Sequence, residues 1–167
     1  MNKKEQDSYL LSTKTNKLAI DYYKKRFKIS DDTRTIELLN ILTTKNEEML
    51  PFYFFIFNDI CSKSDGAFSE LMGPYCIKMA LAYPEYVVGF FSLERLKKRR
   101  ENKMLDYYSL SIGEELYFSE QGLSDIGYTY SSFSKILNDK NSAFNEEDKK
   151  SLNIFLNKIK DSMKNMD

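Results

Sequence analysis

Histidine is absent from all 167 residues. That excludes a histidine-based catalytic triad, a histidine metal ligand and a histidine pH switch. Cysteine occurs twice, too few for a disulfide scaffold or a Cys-rich zinc site. Six glycines and three prolines exclude a collagen-like or flexible low-complexity chain. Long apolar runs are missing too. The longest runs from Pro51 to Phe57 and stops at Asn58-Asp59, far short of the ~20 apolar residues of a membrane span. The first residues carry lysines with no apolar stretch of signal-peptide length behind them. Asn2 excludes myristoylation, and the last residues hold no prenylation cysteine. The expectation is a cytoplasmic chain with reduced thiols and no membrane segment.

Catalytic and cofactor motifs are also lacking. No P-loop, Gly-rich dinucleotide turn or G-x-S-x-G elbow occurs. Around Gly66 an EF-hand would need carboxylates where Cys61, Lys63 and Met72 stand. A di-iron bundle requires Glu-x-x-His. A cysteine nucleophile needs an activating base, and no imidazole is present for Cys61 or Cys76. If these two thiols face each other across a hairpin turning near Ser64-Asp65, the helical rise separates them by ~12 Å, beyond disulfide reach. The acidic clusters Glu47/Glu48, Glu114/Glu115 and Glu146/Glu147/Asp148 are adjacent residues. On a helix such neighbours diverge by about 100° and do not converge as an acid/base pair. No catalytic residue, cofactor or metal ligand set is expected, although carboxylate-only chemistry stays open as a third reading.

What the chain does have is helical periodicity. Leu152, Phe155, Leu156, Ile159 and Met163 form one amphipathic stripe. Asn145 caps it, with three carboxylates in the first turn. Ile126, Tyr130, Phe133 and Leu137 form a second stripe, with Ser124 as its expected cap. Met104, Tyr108, Ile112 and Leu116 form a third. The stripe from Phe68 to Ala82 runs through Pro74, which predicts a kink there. Asp31/Asp32 open a helix carrying Ile36 to Leu42. Pro84 starts another, reaching about Arg100. Residues 47–62 are apolar nearly all round and should form the most buried helix, with Pro51 marking its start. Leu18 to Phe27 suits a short basic helix, and the first fifteen residues are expected to fray.

No sustained alternation marks a strand. The expected fold is all-α: antiparallel helical hairpins in an α-solenoid-like or irregular array. Residues 1–30 would be a basic, partly helical segment, and 31–167 a single helical domain. An offset of 55 relates Met49-Leu50 to Met104-Leu105, and Ser69-Glu70-Leu71 to Ser124-Asp125-Ile126. It suggests two three-helix repeats, 46–100 and 102–163.

Lys+Arg and Asp+Glu both number 25, so the chain is formally neutral. This balance argues against a dedicated nucleic-acid binder. The charge is nevertheless blocked along the chain: net +5 over 1–30, −5 over 31–90, +4 over 91–105, −7 over 106–148 and +3 over 149–167. Two basic segments stand out, residues 22–28 and residues 95–100, the second containing Arg99 and Arg100.

The function expected from these features is a non-enzymatic protein-interaction or scaffold module. Tyr83, Tyr86, Tyr107, Tyr117 and Tyr128 are its candidate contact residues, with Arg99 and Arg100 steering an unidentified protein partner. The alternative is RNA or another anionic partner held by segments 22–28 and 95–100.

Overall fold

The structure, a computed structural model, describes residues 1–96 and 103–166. Every regular element among them is helical. No helix among the described residues is long and apolar enough to cross a membrane. The chain divides into two compact units, Met1–Leu71 and Met72–Asp167.

The first unit is organised around one very apolar helix. Its elements are α1 (Lys3–Leu11), α2 (Lys17–Tyr23), α3 (Thr33–Thr43), α4 (Leu50–Cys61) and α5 (Gly66–Glu70). Pro51 sits in the first turn of α4, where its missing N–H costs nothing. Phe52, Ile56, Phe57 and Ile60 of α4 are almost fully buried, as are Ala19 of α2 and Leu38, Leu39 and Leu42 of α3. An all-round apolar helix needs cover on several sides, and the N-terminal residues supply part of it. Residues 1–30 fall with residues 31–71 in this compact unit.

The expected fraying of the first fifteen residues is corrected, because Lys3–Leu11 is helical. Asn2 and Glu5 form a reciprocal capping box on α1, which satisfies two otherwise orphaned donors. Tyr9 then stacks on Phe52 at 5.5 Å between ring centroids.

The second unit contains α6 (Met72–Ala82), α7 (Pro84–Leu96), α8 (Lys103–Glu120), α9 (Tyr130–Asp139), a short 3-10 turn (Asn141–Ala143) and α10 (Glu146–Lys164). Leu152, Phe155, Leu156 and Ile159 of α10 are buried, with Tyr108, Ile112 and Leu116 of α8. Phe91 of α7 packs against Phe155 at 5.1 Å and edge-on to Tyr108 at 5.5 Å. Glycine permits two close helix crossings. A Cβ on Gly113 of α8 would lie 2.7 Å from the Ser162 Cβ of α10. One on Gly73 of α6 would lie 2.8 Å from the Glu115 Cβ and the Ser111 carbonyl of α8.

Two further expectations are corrected here. The Phe68–Ala82 stripe does not kink at Pro74; it breaks at Leu71, between α5 and α6. Pro74 then falls in the first turn of α6, where no intrahelical donor is required of it. Ser124 does not cap a helix at 126. Gly127 takes φ +74°, which ends any helix attempted there, and α9 starts after Thr129, whose hydroxyl accepts from the Ser132 N–H. Ser124 instead accepts from the Ile126 N–H and donates to Glu115. The boundary between the units falls inside the proposed first repeat, whose helices are shared between them.

Candidate functional site

The basic-aromatic segment 22–28 becomes one wall of a cleft in the first unit. Helix α2 ends with an overlapping pair of backbone bonds: the Lys25 N–H reaches the Tyr22 carbonyl and the Arg26 N–H reaches the Asp21 carbonyl, both at 2.8 Å. This is a Schellman closure, and its αL position normally belongs to glycine. Here it is Lys25, at φ +55°. A side chain in that region costs ~1–2 kcal/mol. After the turn the Phe27 ring meets that of Tyr22 edge-on at 5.9 Å.

The remaining lining comes from the α4–α5 connection, with Lys63 and Asp65, and from α5, with Phe68. The cleft measures about 540 Å³. Its floor is apolar: Phe68 and the Tyr22 ring are buried, and Phe27 and Ile29 are half-buried.

Hydrogen bonds hold the walls in place. The Tyr22 hydroxyl donates to the Asp59 carboxylate at 2.8 Å. Lys63 pairs with the same carboxylate and lies 5.5 Å from the Tyr22 ring centroid. Burial first, then the bond to Asp59 and its negative charge, push the Tyr22 pKa far above the ordinary phenol value. Tyr22 therefore stays a neutral donor. Arg26 and Arg34 both pair with the nearly buried Asp21, at 3.2 and 3.3 Å. Arg34 also covers the Phe27 ring, 4.2 Å from its centroid. Asp32, which caps α3, is held below the usual carboxylate range by the Thr35 N–H and then by the Ser30 hydroxyl.

This pairing leaves a residue of charge at the mouth. Lys25, Arg26, Lys28 and Lys63 line the cleft against one lining carboxylate, Asp65. Asp21 and Asp59 engage Arg26 and Lys63. Lys25 and Lys28 are exposed, and among the described residues neither has an ion-pair partner.

No protein-family model matches the chain, and neither a curated protein nor a solved structure is significantly similar to it.

The predicted contact residues lie elsewhere. Tyr83 is 7% exposed, placed in the core by the tight α6–α7 connection, and so drops out as a surface contact. Tyr86 is 40% exposed on α7. Tyr107 and Tyr117 are half-buried on α8, on an arc of about 80° shared with exposed Leu110. Tyr128 is half-buried in the loop before α9. All five belong to the second unit, whereas the residues lining the cleft belong to the first. Arg99 and Arg100 lie outside the described residues, as does most of segment 95–100; its Arg95 pairs with Glu147 at the start of α10.

Cys61 and Cys76 are both buried, and neither forms a disulfide. No group of three or more cysteines and carboxylates that could hold a metal occurs among the described residues. Sequence reasoning named one wall of the cleft but missed Lys63, Asp65 and Phe68. Their distance along the chain from residue 22 offered no signal, since only the packing of α2 on α4 brings them together.

Proposed function

We propose that the chain is a non-enzymatic helical binding module that holds an anionic partner in the cleft of its first unit. The observation that carries this reading is the pair of uncompensated ammonium groups, Lys25 and Lys28, at the rim of a cleft with an apolar floor. The backbone strain at Lys25 supports it. A lysine sits where glycine would be more stable, so its ammonium group is placed at the rim at a cost in backbone strain.

Magnitudes define the balance of forces. An exposed ion pair contributes about 0–1 kcal/mol and weakens with salt. Two ammonium groups can steer a partner but supply little of the affinity. Burying one large apolar side chain adds about 1.5–3 kcal/mol. The cleft therefore works by charge at the rim and apolar contact below it.

An NMR titration of the isotopically labelled chain with poly-glutamate tests this. Amide shifts should concentrate at residues 22–29 and 63–68 and diminish as salt rises. Shifts concentrated on α8 around Tyr107 and Tyr117 would instead place binding on the tyrosine-bearing surface. An absence of shifts would refute partner binding of this class.

A further inference from the structure

Resting on that reading, we infer that the partner is an acidic peptide segment that inserts one large apolar side chain, rather than a nucleic acid. Nucleic-acid binding without sequence preference needs exposed aromatic faces on which bases stack. The aromatic groups here are already engaged. One face of Phe27 carries the Arg34 guanidinium at 4.2 Å. Tyr22 is buried, meets the Phe27 ring edge-on at 5.9 Å and spends its hydroxyl on Asp59. Phe68 is buried. What remains is an apolar depression, not a stacking platform.

The polar groups point the same way. Lys25 and Lys28 are compact point charges suited to carboxylates on either side of an anchor. Asp65 is exposed beside them and makes no capping bond to α5. It can accept a hydrogen bond from the N–H groups that every peptide backbone carries. A volume of about 540 Å³ suits one anchoring side chain and its neighbours.

The test is fluorescence anisotropy on the full chain at physiological salt with three labelled probes. The first is a nonapeptide of glutamates with a central phenylalanine. The second replaces that phenylalanine with alanine, and the third is nonauridylate. The phenylalanine peptide should bind about tenfold or more tightly than the alanine peptide, as expected for one buried aromatic side chain. It should also bind more tightly than nonauridylate. The double variant Lys25→Glu/Lys28→Glu should lose most of the binding with an unchanged circular dichroism spectrum. Lys25→Gly guards against a folding artefact. It relieves the αL backbone, so weaker binding in a more stable protein is the expected pairing.

Equal affinity for the two peptides would overturn the anchor while leaving an anionic partner in place. Nonauridylate binding as tightly as the phenylalanine peptide, with the same lysine dependence, would replace the peptide by a nucleic acid. Silence from all three probes would overturn this inference and the proposed function together. Undiminished peptide binding by Lys25→Gly and by the double variant would remove the cleft from the interaction.

Discussion

Replacing glycine by alanine should have opposite effects in two helices of the second unit. Alanine is favoured over glycine in a helix interior by about 1 kcal/mol. Gly89 lies in the middle of α7, and a Cβ there meets nothing within 4 Å. Gly89→Ala should therefore gain most of that propensity and stabilise the protein by about 0.5–1 kcal/mol. Gly113 is buried in α8. A Cβ there would stand 2.7 Å from the Ser162 Cβ, 2.8 Å from its Oγ and 3.0 Å from the Ile159 carbonyl of α10. Two of these neighbours are a backbone atom and a Cβ fixed to it, so no side-chain rotation relieves the contact. Forcing a methyl group into a packed interface costs about 1–3 kcal/mol. The rigid contact favours the upper half of that range, so after the propensity gain Gly113→Ala should destabilise by about 1–2 kcal/mol. Urea denaturation followed by circular dichroism measures both. A cycle with Ser162→Gly, which removes the Cβ and Oγ from the contact, should return part of the loss as a favourable coupling. A neutral or stabilising Gly113→Ala would refute the close α8–α10 crossing, and so would a cycle with no coupling.

Lys25→Gly should raise stability by about 0.5–1 kcal/mol, the αL relief less the extra freedom of glycine in the unfolded chain; a lower urea midpoint would contradict the strained turn. Tyr22 keeps its proton in the folded state well above the pH, near 10, at which it ionises when unfolded. Its contribution is fully present below that pH and is lost as the pH rises above it. Tyr22→Phe should therefore be less destabilised than the parent between pH 9 and 11 in urea titrations, and equal losses would refute the linkage. Cys61 and Cys76 are buried, so a thiol-specific reagent should react at the rate of unfolding. Immediate reaction in native buffer would contradict that burial.

The all-helical architecture and most helix positions were legible in the chain because they depend on local periodicity and capping. The buried stripe of α10 and its Asn145 cap follow directly from residue spacing. So does the burial of α4, which is apolar nearly all round. The errors arose where a local signal admitted two outcomes. Pro74 is compatible with a kink or with a first turn, and the interruption at Leu71 decides for the first turn. Ser124 has the chemistry of a cap, but Gly127 at positive φ ends the segment it would have capped. The basic-aromatic run 22–28 could be read from sequence, whereas its partners in the cleft could not. Lys63, Asp65 and Phe68 approach it only because α2 and α4 pack together. Nor could sequence say which charges survive: Asp21 and Asp59 engage Arg26, Arg34 and Lys63, and the ammonium groups of Lys25 and Lys28 are left at the rim. Periodicity is a property of neighbours along the chain. The charge left over at a cleft is a property of neighbours in space, and only the tertiary packing decides it.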